Sequence, residues 1–301
     1  MKCAALLLAL CATVGFAQQQ GPPAPARTAT TNLTERVQAP TYSDLYCAGF
    51  ISKQTYPRGN YIAAGAESPA QAEFHQGDTV FLEGTSYAEG ARLSVLRELK
   101  DPNSSPAFKG QVAAIAQLGQ PYAEMGRVRV TTIHGKTAVA AVEFSCDAMA
   151  AGDIVVPFQE KAPVTFRGKV ALDRFPAAPG SVTARIVMAK DFDYVLGTGR
   201  KAYISVGSDK GVKVGDYFRA MRNYDPAKMQ EVDSLAFKMP QSEDTQKHGS
   251  SASKSTYGGL PRQAVAEMIV LNVTPTSSTA MITYALENVN VGDVVELHAE
   301  Q

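Results

Sequence analysis

The sequence predicts a mainly β protein made of two tandem, related modules, each a small β-barrel or sandwich-like unit, behind a disordered N-terminal tether. Three observations carry this prediction. Short apolar or alternating runs are bounded by Gly-Asp turns, one set of landmarks occurs twice in the same order, and helical periodicity is poor. At 301 residues, 45% of them hydrophobic and 19% charged, the chain can form a sizeable core and is not disordered throughout.

The first 17 residues are typical of a secretory signal peptide. Lys2 supplies a positive charge, Ala4–Val14 forms an apolar run too short to span a bilayer, and small residues lead to a cleavage site after Ala17. Leu8–Cys11 resembles a lipobox, but a bulky leucine stands where that motif has a small residue. We therefore expect an exported protein, periplasmic or extracellular, and favour cleavage over lipid anchoring at Cys11. No other segment is apolar for long enough to predict a transmembrane helix.

Removal of the signal peptide leaves two cysteines, Cys47 and Cys146. In an exported protein such a pair most simply forms one disulfide. The bond would close a loop of about 100 residues and stabilise the fold by up to roughly 4.7 kcal/mol in the chain-entropy model. The alternative role, a thiol nucleophile, needs a nearby base, and the sequence supplies none.

Low-complexity composition marks three parts of the chain. Residues 18–43 are rich in Gln, Pro, Ala and Thr and predict a disordered tether. Residues 159–179 carry three prolines and predict an extended linker. Residues 241–259 predict a flexible loop inserted into the second module. The two β modules are therefore expected at 44–158 and 180–298.

Short strands account for most of both modules. Arg127–Val130 alternates polar and apolar residues, as a half-buried strand does, and Ala202–Val206 is β-branched and aromatic. Apolar runs of strand length predict further strands at Phe144–Cys146, Ile154–Val156 and Val294–Leu297. Gly110–Leu118 is the best helical candidate.

The duplication rests on five landmarks that recur in the same order. A strand that ends in glycine is followed by a strand with Asp-Pro, then by Ala-Glu-Met, Thr-Ala and a closing Gly-Asp. The first copy has Thr79–Gly84, Leu93–Pro102, Ala123–Met125, Thr137-Ala138 and Gly152–Val156, and the second has Ala202–Gly207, Phe218–Pro226, Ala266–Met268, Thr279-Ala280 and Gly292–Glu296. Upstream, Gly49–Ser52 and Ala184–Val187 are possible matching strands.

Turn chemistry explains why such landmarks recur. Glycine supplies a positive φ and aspartate accepts a hydrogen bond from its own backbone, so Gly-Asp can reverse the chain between strands. The proline of Asp-Pro ends a strand because it cannot donate to the ladder. We assign structural turn roles to Gly84, Gly152, Asp153, Gly207, Gly215, Asp216, Gly292 and Asp293.

No residue set predicts a catalytic, cofactor or metal site. The histidines lack the spacing of a zinc site, and no nucleophile elbow occurs. Gly197–Gly199 is a lone G-x-G that predicts a hairpin turn rather than a phosphate site. The four histidines, which we expect at the surface, are His75, His134, His248 and His298.

Several charged residues recur in both copies and have two interpretations each. The carboxylates could form acid and base pairs, as in glycoside hydrolysis, but their repeat positions favour capping and turn roles. The arginines could face outward from strands, which we favour, or bind an anionic partner. The carboxylates are Glu124, Glu267, Asp153 and Asp293, and the arginines are Arg97 and Arg222.

Ala202–Arg222 resembles the C-terminal domain of flagellar assembly protein T and related repeats in exported proteins with LysM domains. Thr276–Leu297 resembles the end of the same repeats. The resemblance covers the second module well and the first weakly, because Ala88–Arg92 lacks the Val-Gly-Asp that the second module has at residues 214–216. It implies a β module and concerns fold more than function. No LysM domain is evident, so direct peptidoglycan binding does not follow, and no flagellar role follows because the shared unit is only a β module.

Duplication without a catalytic constellation favours a non-enzymatic, exported cell-envelope protein that acts as a binding or assembly module. The expected partner is an envelope protein or a cell-wall component. The equal numbers of basic and acidic residues, 29 each, exclude a dedicated nucleic-acid binder. The alternative is a secreted hydrolase with a site between the modules, which requires a pocket lined by acids or histidines from both copies. The sequence implies no oligomeric state.

Overall fold

The computed structural model describes residues 37–298 apart from 69, 104, 169–171, 177–180 and 223–260. Helix α1 (Tyr42–Tyr46) and strand β1 (Phe50–Ser52) precede a first barrel of β2 (Tyr61–Gly65), β3 (Thr79–Glu83), β4 (Arg92–Glu98), β5 (Gln120–His134), β6 (Thr137–Ser145) and β7 (Ile154–Pro157), with α2 (Gln111–Leu118) between β4 and β5. The second barrel contains β8 (Thr183–Ala189), β10 (Lys201–Ile204), β11 (Tyr217–Arg222), β12 (Gln263–Val273), β13 (Ser278–Ala285) and β15 (Val294–Leu297), and β9 (Val195–Leu196) pairs with β14 (Val289–Asn290) in a separate ribbon.

Both barrels are closed, antiparallel and six-stranded, and they have the same strand order. Around the first barrel the order is β2-β3-β6-β5-β4-β7, and around the second it is β8-β10-β13-β12-β11-β15. Successive strands of each module therefore occupy the same places. The predicted fold class, two tandem related β modules, is confirmed, and the modules are barrels rather than sandwiches.

The duplication extends to the strand register. Val130 pairs with Ala140 across β5 and β6, and Val270 pairs with Ala280 across β12 and β13. Each pairing is followed by a register shift on the longer strand, before Thr132 in the first barrel and before Asn272 in the second. Bulges bend and twist strands at defined points, so the two barrels are curved in the same way.

The Ala-Glu-Met landmark lies on equivalent strands but not at equivalent positions. Glu267 pairs with Tyr284 across β12 and β13, and the residue that pairs with Phe144 at the same place in the first barrel is Arg127, not Glu124. The prediction that Glu124 and Glu267 occupy one repeat position is therefore wrong. The shared Ala-Glu-Met tripeptide identifies equivalent positions less well than the strand register, which the bulges set.

Two other landmark assignments also shift. Ala280 occupies the place of Ala140, so Thr279-Ala280 does not match Thr137-Ala138. The strand that corresponds to β8 is β2, because each closes its barrel beside the last strand of its module. The proposed match of Gly49–Ser52 with β8 is wrong: β1 pairs with β5 and lies outside the closed ring.

A row of hydroxyl groups joins β1 to the second barrel. The Ile51 carbonyl accepts hydrogen bonds from Thr274 Oγ1 (3.0 Å) and Ser277 Oγ (2.6 Å), and the Gly49 carbonyl accepts one from Thr279 Oγ1 (2.7 Å). A side chain at Gly49 would not fit, since its Cβ would lie 2.5 Å from the Tyr203 hydroxyl. The two barrels therefore meet through close packing of β1 on the second barrel.

The segment between β4 and β5 makes a second contact between the modules. Phe108 belongs to the apolar core of the second barrel although it lies in the first module's sequence. Gln111 at the start of α2 donates from Nε2 to the Val187 carbonyl at 2.9 Å. The helix itself confirms the prediction for Gly110–Leu118, with its N-cap at the first of these residues.

The end of the predicted tether is part of the folded body. Gln38 N–H donates to the Thr283 carbonyl of β13 at 2.8 Å. Thr41 caps α1 in a reciprocal capping box with Asp44, whose carboxylate lies 2.6 Å from Lys201 Nζ. The boundary at residue 43 is therefore too late, because a capped helix and an ion pair attach residues 37–43 to the second barrel. Residues 1–36, including the expected signal peptide, lie outside the described part of the chain.

The described residues of the linker predicted over 159–179 are docked rather than free. Val164 and Phe166 pack on an apolar cluster on the outside of the second barrel. Arg167 lies 3.8 Å above the Tyr217 ring and forms an ion pair with Glu267 at 2.5 Å. Prolines keep this segment out of the sheets, but its apolar and cationic side chains attach it to a barrel. The loop predicted at 241–259 lies outside the described residues.

Cys47 and Cys146 form the predicted disulfide, with an S–S distance of 2.04 Å. Cys47 follows α1 and Cys146 follows β6. The bond therefore ties the segment that contacts the second barrel to the body of the first barrel. Among the described residues, neither α-helix has the length to cross a membrane.

The ion pair of Asp44 predicts an acid-sensitive attachment of α1. Burial alone would raise the pKa of this carboxyl, but hydrogen bonds from Lys201 and Thr41 outweigh it and place the pKa below its usual range. A lowered native pKa contributes stability above the unfolded-state pKa of about 3.9, and that stability is lost as the pH falls through the native pKa.

We expect Asp44→Asn to lower the free energy of unfolding by about 1–2 kcal/mol at pH 7, because a charge-assisted hydrogen bond is lost. The difference from wild type should shrink in urea titrations stepped from pH 7 to below pH 3. Asp191→Asn, at an exposed pair with Arg200, is the matched control. A difference that stays constant with pH would contradict the role assigned to Asp44.

Candidate functional site

A cleft of about 580 Å³ lies between the two barrels. Its floor is the outer face of the first barrel, and its walls are the segment after β1, the segment after β7 and the turn between β12 and β13. The lining mixes aromatic, amide, hydroxyl and charged side chains. Its residues are Tyr46, Phe50, Ser52, Gln54, Tyr56, Pro57, Ser94, Leu96, Glu124, Gly126, Arg127, Phe144, Val156, Pro157, Phe158, Gln159, Glu160, Lys161, Asn272, Val273, Thr274 and Pro275.

Strand alternation places the floor residues. Val95 faces the core of the first barrel, and Ser94 and Leu96 on either side of it line the cleft. On β7, Val155 likewise faces the core and Val156 lines the cleft. The floor is therefore made by residues that a barrel standing alone would expose to water.

Two groups of aromatic rings border the floor. Tyr56 contacts Phe50 and Tyr122 with ring centroids 5.9 and 5.1 Å apart. On the opposite wall, Phe158 stacks on Tyr46 at 5.7 Å. Aromatic pairs of this kind add about 0.5–1.5 kcal/mol beyond the area that they bury, so both walls are held by their own packing.

A buried ion pair stands where the linker meets the floor. Glu124 Oε1 lies 2.6 Å from Lys161 Nζ, which also donates to the Leu45 carbonyl at 2.8 Å. Glu124 Oε2 accepts from the Gly49 N–H at 3.1 Å. Burial raises the pKa of Glu124, and the Lys161 ammonium offsets only part of that effect. Glu124 thus joins three segments, the floor, the linker and the start of β1.

Arginines surround one carboxylate beside the cleft. Glu143 lies 3.0 Å from Arg127 and 3.4 Å from Arg92, and it also pairs with Arg129. Burial opposes ionisation of Glu143, but the guanidinium groups, Arg129 first, lower its pKa. The Arg127 guanidinium also lies 4.8 Å above the Phe158 ring. This network fixes the orientation of Arg127 at the mouth of the cleft.

Among its described residues, the second module contributes to the cleft lining only Asn272–Pro275, the end of β12 and the turn after it. The acids of the lining, Glu124 and Glu160, come from the first barrel and the linker. Among the residues that the structure describes, the cleft therefore has no acid or histidine from the second module. The hydrolase alternative requires such residues from both copies, and this cleft does not bring them together.

The predicted turn residues lie at the ends of strands, and none of the eight lines the cleft, although Gly207 lies against the turn at Thr274-Pro275 that does. Three Gly-Asp turns share one geometry, in which the aspartate accepts a hydrogen bond of 2.8 Å from the N–H three residues earlier, and the glycine before it has a positive φ of 92, 93 or 107°. These are Gly152-Asp153, Gly215-Asp216 and Gly292-Asp293. A fourth turn of this type, at Gly77-Asp78, was not predicted from the sequence.

Gly84 and Gly207 do not share one role. Gly84 follows β3 with a φ of 146°, a conformation that favours glycine. Gly207 has a φ of −142°, which any residue adopts, but its Cβ would lie 2.1 Å from the Thr274 carbonyl oxygen. Gly207 is therefore required by close approach of the turn that also forms one wall of the cleft.

The recurring arginines form ion pairs with the recurring aspartates. Arg97 bonds both oxygens of Asp153, at 2.7 and 2.8 Å. Arg222 lies 3.6 Å from Asp293 and 2.9 Å from Glu287. The interpretation of Arg97 and Arg222 as simple outward-facing residues is therefore incomplete. Each arginine links the third strand of its barrel to the Gly-Asp turn that precedes the last strand of that barrel.

The histidines form no cluster in the described ranges. His75 is exposed, 3.9 Å from Glu73, and His134 ends β5. His298 Nε2 lies 3.1 Å from an Arg219 nitrogen. His248 lies outside the described residues. No group of three or more His, Cys, Asp or Glu side chains with metal-binding geometry occurs in the part of the chain that the structure describes.

Sequence reasoning missed the aromatic walls of the cleft. Tyr46 and Tyr56 lie in a segment without periodicity, and Phe158 stands at the end of a strand. One signal was available: residues 42–61 carry five aromatic residues out of the chain's 12 Tyr and 12 Phe. Such a density of aromatic residues indicates contacts between elements.

No family model matches the chain, and no curated protein sequence is significantly similar to it.

Proposed function

We propose that this protein is a non-enzymatic, exported component of the cell envelope that binds its partner in the cleft between the barrels. The cleft is the observation that carries the proposal. It combines apolar rings with a few fixed polar groups, as binding sites commonly do. Its walls come from segments that packing, an ion pair and a disulfide attach to one another.

Export is supported by the disulfide. Disulfides persist in oxidising compartments and are rare in the cytosol, and the first 17 residues have the pattern of a signal peptide. The resemblance of the second module to repeats of exported assembly proteins agrees with this location. We propose an envelope component as the partner on the same grounds.

A variant whose cleft is blocked by a large side chain tests the proposal. Ser94→Arg places a long cation on the cleft floor, and Val112→Arg places the same side chain on α2, where Val112 is 73% exposed. Immobilised mature protein, residues 18–301, is incubated with solubilised envelope fractions, and retained components are identified by mass spectrometry. We expect wild type and Val112→Arg to retain the same component and Ser94→Arg to lose it about tenfold or more. Equal retention by both variants would contradict the proposal.

The same material tests the hydrolase alternative. Mature protein is incubated with envelope polysaccharide and envelope protein, and released fragments are measured over time. We expect no release above a heat-treated control. Release that depends on Glu124, measured with Glu124→Gln, would replace the binding role by a catalytic one.

A further inference from the structure

We infer that the cleft binds a neutral oligosaccharide, an inference that rests on the proposed function and specifies its ligand. The volume of about 580 Å³ falls within the range of roughly 300–1,000 Å³ that is usual for small-molecule sites. The cleft is therefore large enough for a few sugar rings and too small to enclose a folded domain.

The charge of the lining favours an uncharged ligand. Its ionisable acids and bases are Glu124, Glu160, Arg127 and Lys161, two of each sign. Glu124 pairs with Lys161, Arg127 pairs with Glu143, and Glu160 accepts from the Tyr46 hydroxyl at 2.7 Å. An acidic polymer would require a surplus of cations, and this lining has none.

The strand edges beside the cleft are occupied, which disfavours an extended peptide. Strand addition needs an exposed edge with unpaired backbone groups. Of the floor strands, β4 pairs with β5 and β7, and β7 pairs with β4 and β2. At β1, which pairs with β5, hydroxyls of the second barrel bond the Gly49 and Ile51 carbonyls.

The remaining chemistry of the lining matches a sugar. A sugar ring has apolar C–H faces and a rim of hydroxyls that both donate and accept hydrogen bonds. Tyr56 offers a half-buried ring, packed against Phe50 and Tyr122, for the apolar face. The exposed amides of Gln54 and Gln159 each supply donors and an acceptor for the rim.

Calorimetric titration of the mature protein tests this inference. The probes are three neutral trisaccharides, cellotriose, maltotriose and triacetylchitotriose, and one acidic one, trigalacturonate. We expect at least one neutral probe to bind with a Kd of about 1 mM or tighter. Tyr56→Ala and Gln54→Ala should each weaken that binding, the tyrosine by about tenfold. Phe175→Ala, at an aromatic residue outside the lining and 50% exposed, should leave it unchanged.

Ser94→Arg provides a second test in case Tyr56→Ala weakens binding only because that variant is unstable. Ser94→Arg should abolish sugar binding with the melting temperature of wild type. Sugar binding that survives Ser94→Arg, tighter and salt-sensitive binding of trigalacturonate, or no binding of any neutral probe would each overturn the inference. If neutral probes fail while Ser94→Arg still abolishes retention of an envelope component, the ligand class is wrong and the proposed function stands. If retention is also insensitive to Ser94→Arg, both fail.

Discussion

Replacing Cys47 and Cys146 together by alanine is expected to lower the free energy of unfolding by about 4 kcal/mol. The bond joins residues 99 apart in the sequence, and a cross-link over about 100 residues removes much of the entropy of the unfolded chain. It also ties the segment after α1 to the first barrel, so its loss should loosen the contact of β1 with the second barrel.

Urea unfolding followed by far-ultraviolet circular dichroism measures this effect. Wild type in reductant should unfold at the midpoint of the double variant, because both lack the same cross-link. Addition of reductant should leave the double variant unchanged. A double variant that unfolds at the wild-type midpoint, with an unchanged slope, would show that the disulfide contributes little to stability.

Arg97→Met is expected to destabilise the protein by about 3 kcal/mol, because it leaves a buried carboxylate without its cation. Asp153 has a side-chain exposure of 4%, whereas Arg97 is 37% exposed. Arg222→Met is the matched variant at the same place in the second barrel. It should cost less, because Asp293 lies 3.6 Å from its arginine and is 16% exposed, and the nearer partner of Arg222, Glu287, is 33% exposed.

A double variant separates charge from packing. Arg97→Met with Asp153→Asn should be more stable than Arg97→Met alone, because no buried charge remains and the amide oxygen can still accept from the Ala150 N–H. Thermal and urea unfolding of wild type, Arg97→Met, Asp153→Asn and the double variant complete the cycle. Additive losses would contradict the pairing as the source of stability, and equal costs for Arg97→Met and Arg222→Met would contradict the difference between the barrels.

Local chemistry explains which predictions were correct. Turns at Gly152-Asp153 and Gly292-Asp293 depend on a positive φ and on a hydrogen bond within four residues, so a Gly-Asp dipeptide indicates them without any tertiary contact. The duplication was visible for the same reason, because turns and strand lengths repeat along the chain. The disulfide followed from counting the cysteines that would remain after the expected removal of residues 1–17.

The register of the strands and the contacts between the modules could not be predicted from the sequence. Glu124 and Glu267 share a three-letter motif, yet bulges place them at different positions of the two barrels. Lys161 looked like part of a linker, and only the fold brings it to Glu124. Both cases depend on atoms that are far apart in sequence.

The sequence by itself determined the composition of the fold: two copies of a β module, the turns that delimit their strands and the pairing of Cys47 with Cys146. These properties depend on backbone preferences and on hydrogen bonds between neighbours in the chain. The tertiary structure alone decided that the modules are closed barrels, that β1 and the linker dock on the second barrel, and that a cleft lies between them. Those features arise from packing of surfaces distant in sequence, whose complementarity no local pattern records.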